Sequence, residues 1–257
     1  MRAITTPLWE MAEFPLIAEA MQPDASNIML TGCVDSQKLH MIYGLGGGFT
    51  YKIIVTYSDL KAKELYEDYK FYDKNVSIPA KDLIFYQADI HGKQLIIERM
   101  KCYRKILERK PFTMITTCDS FMIPQIPFHI LESSVLNIDK NTIINEQALS
   151  KKLVEMGYES NYQAEMPGQF SIRGGIVDIF DLTEENPFRI ELWGDEPESI
   201  RSFDVLSQRS IEERESIVIY PATEIILTQD EIFRGLKQIE KDAKKCEETF
   251  RKVFQTE

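Results

Sequence analysis

Nowhere among the 257 residues do about 18 apolar side chains follow one another, the run a membrane-spanning helix needs. The start of the chain also lacks the continuous apolar core of a secretory signal peptide, because Pro7, Glu10 and Glu13 interrupt it. These absences lead us to expect a cytoplasmic protein without a membrane partner. The four cysteines, Cys33, Cys102, Cys118 and Cys246, form no CxxC pair, and His40, His91 and His129 stand at no ligand spacing from them. Neither a structural metal nor a disulfide framework is expected. Basic residues are in deficit as well: 30 Lys and Arg against 41 Asp and Glu leave a formal net charge of −11. A surface of that sign repels the phosphate backbone, which argues against a free-standing nonspecific DNA binder. The 44% hydrophobic content that remains is the share of a globular chain with a packed core.

Hydrophobic periodicity divides the chain. Asn27 to Leu30 is a short apolar run read as a strand, Ser36 to Tyr43 a helix, Tyr51 to Thr56 a β-branched strand, and Asp59 to Tyr72 a helix behind an Asp cap. A strand near Leu83 to Tyr86, a helix from Lys93 to Arg109 and a strand from Phe112 to Thr116 continue the alternation. Alternating strands and helices predict α/β architecture with a parallel sheet, placed at residues 1–124. The segment Ile123 to Phe128, with Pro124 and Pro127, reads as a junction. Beyond it come one helix, Asn145 to Met156, and short strands at Tyr158–Ala164, Gln169–Arg173, Ile176–Phe180, Phe188–Trp193, Ser199–Val205 and Ser216–Tyr220. This predicts a small α+β domain with an antiparallel sheet over 125–212, then a return segment and a long helix over 213–257. The helix from Thr228 to Phe254 has acidic residues in its first turn and basic ones near its end. Its apolar positions Ile232, Leu236, Ile239 and Phe250 have no following element to pack on, and continuation beyond Glu257 is expected.

The apolar run at 27–30 leads into Thr31-Gly-Cys-Val-Asp-Ser-Gln-Lys-Leu39, where a phosphate-binding loop would sit. A working loop reads GxxxxGK[ST], with backbone amides around the phosphates and a final hydroxyl on magnesium. Gly32 and Lys38 keep that spacing, but Gln37 replaces the second glycine, Leu39 replaces the hydroxyl, and Asp35 puts a negative charge in the cradle. Each change opposes nucleotide binding, so no ATPase activity and no cofactor are expected of these residues; the rival reading is an ATPase or helicase fragment whose altered loop still works. The glycines from Gly44 to Gly48 follow a helix and precede a strand, the reverse of a dinucleotide loop, and read as a helix C-cap with a flexible connection. Asp119 reads as a helix cap. Direct damage recognition would need an aromatic-rich hairpin among the first elements, and none is found.

The most informative stretch runs from Phe170 to Phe180 (FSIRGGIVDIF) and on through Phe188 to Glu196 (FRIELWGDE). Strand alternation sends Phe188, Ile190 and Leu192 to one face and Arg189, Glu191 and Trp193 to the other. Trp and Arg are enriched where proteins bind one another, so this face is a candidate docking surface, unless its own domain covers Trp193. Gly174-Gly175 interrupts the preceding strand as a bulge or tight turn would, which would bring Arg173 to the side of Arg189.

These stretches, with Ser199 to Arg209 (SIRSFDVLSQR) and the Tyr220-Pro-Ala-Thr-Glu224 segment, resemble the second domain shared by UvrB and bacterial transcription-repair coupling factors (Mfd), and the coupling factors more than UvrB. The resemblance extends over essentially the whole chain and is loose before residue 95. It implies the N-terminal UvrB-homology module of a protein that recognises stalled RNA polymerase, moves on double-stranded DNA with an ATP- and Mg-dependent motor elsewhere, and recruits UvrA to nucleotide excision repair. It also implies that Arg173, Arg189 and Trp193 hold the UvrA-binding positions, with Trp193 standing where phenylalanine is more usual.

Overall fold

A computed structural model describes residues 2–21, 27–74, 76–77, 89–122, 125–227 and 229–254 in two compact units, Met1–Pro124 and Gln125–Glu257. The first unit runs α1 (Arg2–Trp9), α2 (Phe14–Ala20), α3 (Asp35–Leu45), a 3-10 turn (Gly46–Gly48), β1 (Tyr51–Thr56) and α4 (Asp59–Tyr69), then β2 (Val76–Ser77), α5 (Asp89–Leu107), β3 (Phe112–Thr117) and α6 (Cys118–Phe121). Its strands form the expected parallel sheet, ordered β1-β3-β2, with Tyr51 to Thr56 aligned on Phe112 to Thr117. Ile115 on β3 packs with Leu39 of α3 and with Ala62 and Tyr69 of α4, so the helices supply the apolar cover that a parallel sheet requires.

Several local expectations change. Asn27–Leu30 pairs with no strand among the described residues, and Ile28, Met29 and Leu30 are exposed. A four-residue apolar run does not by itself secure a place in a sheet. The helix caps sit one or two residues earlier than the acidic residues suggested. Ser58 Oγ accepts from the Lys61 amide (3.2 Å) and Thr117 Oγ1 from the Ser120 amide (3.2 Å), while Asp59 and Asp119 lie in the first turns. Both capping residues have the extended backbone of a true cap. The glycine run does end α3, as expected, with Gly46 at its C-cap; Gly44, inside the helix, has a packing role, since a Cβ there would come within 2.4 Å of Leu8 and 3.1 Å of Phe14, so glycine lets α1 and α2 approach the helix closely. The strand expected at Leu83–Tyr86 falls outside the described residues.

The second unit runs α7 (Phe128–Ser133), β4 (Leu136–Asp139), α8 (Glu146–Glu155), β5 (Glu159–Ser160), β6 (Gln169–Arg173), β7 (Ile176–Ile179), β8 (Phe188–Trp193), β9 (Glu196–Phe203), β10 (Ser210–Glu213), β11 (Ser216–Ile219) and α9 (Gln229–Phe254). Six strands form one sheet in the order β10-β9-β8-β7-β6-β5, antiparallel except between β5 and β6, while β11 pairs with β4. The sheet's inner face (Phe170, Val177, Ile179, Phe188, Ile190, Ile200) packs on Leu153 and Met156 of α8 and on Ile138, Ile217 and Ile219 of the two-stranded ribbon. Each such side chain removed from water contributes about 1.5–3 kcal/mol, enough to hold the sheet as a rigid platform. Along α9, Ile232, Leu236 and Ile239 are exposed.

The end of α8 ties this core together. Gly157 has φ +88°, the Tyr158 amide donates back to Leu153 (2.9 Å) and the Gly157 amide to Val154 (3.0 Å), a Schellman ending that aims Tyr158 into the core. A Cβ on Gly157 would meet Thr223 at 2.6 Å. Gly157→Ala is therefore expected to lower the stability of this unit by about 2 kcal/mol, the sum of left-handed strain and displacement of Thr223, read as a lower urea midpoint with unchanged slope.

Candidate protein-docking site

With its inner face buried, the six-stranded sheet turns its other face outward, and alternation decides what that face carries. β6 presents Arg173 and Ser171, β7 Asp178, β8 Arg189, Glu191 and Trp193, and β9 Arg201 and Ser199, because their neighbours Ile172, Val177, Ile190 and Ile200 point into the core. Gly174 and Gly175 are the two-residue turn joining β6 to β7, both with positive φ (54° and 83°), which is the type I′ pattern that matches strand twist. That turn puts Arg173 on the same face as Arg189, as the glycine pair suggested.

Asp178 is the centre of the face. Its carboxylate, 3% exposed, accepts two hydrogen bonds from Arg189 (2.7 Å from Nε and 2.8 Å from Nη2) and a longer one from Arg173 (3.4 Å). Arg189 is itself only 14% exposed: its Nη2 also donates to Gln208 (2.8 Å), and its guanidinium lies over the buried Phe203 ring, 4.2 Å from the centroid. Paired bonds of this kind are stronger and more directional than neutral ones. Beside this cluster, Arg201 pairs with Glu191 and also meets Ser199 (3.1 Å). The bonds from Arg201 and Ser199 hold the Glu191 carboxyl below its ordinary range.

Trp193 stands at the end of β8, just before the Gly194-Asp195 turn, and is 80% exposed. The hairpin that carries it is anchored, since the Ile144 amide donates to the Asp195 carbonyl (2.7 Å) and the Leu192 amide to the Gly175 carbonyl (2.7 Å). Its own domain does not cover this indole. A solvent-facing indole on an anchored strand of the arginine face is suited to binding a macromolecular surface.

The loop before α3 has a different character. Thr31 and Gly32 (φ +83°) are exposed and Cys33 is half-buried, the described residues before them form no strand, and Lys38 is paired with Asp35 (3.0 Å). That bond holds the Asp35 carboxyl below its usual range. Leu39, at the hydroxyl position of a phosphate loop, is buried in the core of the first unit, and Gln37 is half-buried on the same helix. Among the described residues no group of three or more His, Cys, Asp or Glu could hold a metal ion, and no helix is long and apolar enough to cross a membrane.

The fold and this face are those of a protein-interaction module, and residues 136–225 match the family described as the UvrB interaction domain. Over 92% of its length the chain is 31% identical to the transcription-repair-coupling factor of Bacillus subtilis (strain 168), of which it spans 20%. It is 26% identical to UvrABC system protein B of Thermosipho africanus over 90% of its length, and 33% identical to that of Kosmotoga olearia over 68%, spanning 39% and 26% of those proteins. The chain thus covers well under half of each relative, and its likeness to UvrB and the coupling factors is the one read from its motifs.

Sequence reasoning did not single out Asp178, Phe203, Gln208 or Tyr162. Asp178 was legible in principle, since it is the one charged residue in the otherwise apolar strand Ile176-Val-Asp-Ile-Phe180. An acid placed there needs a cationic neighbour across the sheet.

Proposed function

We propose that this chain is the UvrA-recruiting module of a transcription-repair coupling factor, linking RNA polymerase stalled at DNA lesions to nucleotide excision repair. The observation that carries this reading is Trp193, 80% exposed on the arginine-bearing face of a sheet whose other side is packed. Docking runs through Arg173, Arg189 and Trp193, with Arg189 holding the acidic centre of the face in place. RNA polymerase and double-stranded DNA are engaged by other parts of the parent protein, in the cytoplasm. Immobilised chain is expected to bind purified UvrA saturably, and more weakly as salt rises, because the face is charged. Absence of saturable binding at low salt would overturn the assignment.

The module itself has no ATPase activity and needs no cofactor; ATP and magnesium belong to the motor of the parent. Support comes from Leu39, whose side chain is committed to the core, and from Lys38, whose charge is met by Asp35. Titration calorimetry with Mg-ATP should therefore give no saturable heat for the chain or for Lys38→Ala. Saturable heat from the wild-type chain that disappears in Lys38→Ala would favour a working loop instead.

A further inference from the structure

The docking face contains an aromatic residue that neither the motif nor the alternation singled out. Tyr162 lies in the segment between β5 and β6, and its carbonyl accepts from Ser171 Oγ (2.9 Å), which sets it against the edge of the sheet on the arginine side. Its ring is 80% exposed, and the Arg173 guanidinium lies 5.0 Å from the ring centroid. The cluster around Asp178 contains two guanidiniums and one carboxylate, so one positive charge is left over. Geometry decides where it resides. Arg189 takes both short bonds to Asp178 and is 14% exposed; Arg173 has only the 3.4 Å contact and is 34% exposed. The surplus charge is therefore on Arg173, in reach of solvent and held over the tyrosine ring.

Resting on the UvrA-docking reading above, we infer that Tyr162 is a contact and positioning residue of that face: its ring holds the Arg173 guanidinium ready for a carboxylate of an acidic segment on the partner. An aromatic shelf suits this task. It attracts the cation without neutralising it, and it limits the rotamers Arg173 would otherwise lose on binding. The exposed edge of the same ring gives the partner an apolar surface beside the charge. Trp193 offers a second such surface on the same face, so the partner's matching surface would have an acidic group flanked by apolar ones.

The test is equilibrium binding of purified UvrA to the 257-residue chain, wild type and Tyr162→Ala, Tyr162→Phe, Arg173→Ala and Tyr162→Ala/Arg173→Ala variants, each checked for native circular dichroism. Tyr162→Ala should weaken binding about fivefold, and Tyr162→Phe, which keeps the ring, should stay within about twofold of wild type. In the Arg173→Ala background the effect of Tyr162→Ala should shrink, since the cation it positions is gone. Wild-type affinity for Tyr162→Ala overturns the inference while leaving the docking reading intact. Equal losses in both backgrounds overturn the positioning role, and a Phe variant as weak as Ala overturns the stacking. No binding by the wild-type chain overturns the docking reading and this inference with it.

Discussion

Asp178→Ala is expected to destabilise the second unit by about 3 kcal/mol and to abolish measurable UvrA binding at the same time. Removing one partner of a mostly buried ion pair leaves the other charge without compensation, typically at a cost of 3–5 kcal/mol. Arg189 is in that position, 14% exposed and pressed on Phe203, so it can neither hydrate fully nor swing away without uncovering a buried ring. Gln208 remains as a partial partner, which is why the lower end of the range applies. Loss of the carboxylate also puts Arg173 and Arg189 on one face with no charge between them, and their repulsion would displace the cation offered to a partner. Urea unfolding followed with amide exchange of β7 and β8 measures the first effect. A midpoint shift worth under about 1 kcal/mol would show that the cluster is not what holds this face.

The docking face was more legible than the first unit for a physical reason. Strand alternation is a strict two-residue rule, so Arg189, Glu191 and Trp193 could be put on one face before any neighbour was known, and Ile190 and Phe188 on the other. Long amphipathic helices were equally readable, as in α8 and α9. What alternation cannot supply is pairing across the sheet. β4 and β10 are four residues each, and β10 is exposed throughout, so neither has a pattern that separates it from a loop. The same limit hid the Arg189–Asp178 pairing, because the two residues are eleven apart in sequence and meet only through the β7–β8 register. Asn27–Leu30 failed in the opposite sense: the residues suit a strand, yet among the described residues no partner strand pairs with them. The glycine run is legible as the end of α3, capped at Gly46, but its first member also serves a close helix approach at Leu8 and Phe14 that the letter alone does not show.

Trp193→Ala is expected to weaken UvrA binding at least about 30-fold, equivalent to about 2 kcal/mol, while leaving the stability of the chain unchanged within about 0.5 kcal/mol. The asymmetry follows from exposure. An indole that is 80% accessible contributes little to its own fold, so its truncation removes little from the free protein. In a complex, the same ring can bury most of its surface at once, and because the β8–β9 hairpin is held by the Ile144–Asp195 and Leu192–Gly175 bonds, little backbone freedom is lost in doing so. Trp193→Phe should fall between the two, within about tenfold of wild type, since a phenyl ring keeps the apolar contact but gives up area and the indole N–H. Paired measurements of binding and thermal melting on the three proteins decide the matter. Unchanged affinity in Trp193→Ala would remove the indole from the interface and leave the arginine cluster to explain docking alone, whereas a parallel fall in melting temperature would mean that the residue acts through the fold of its hairpin.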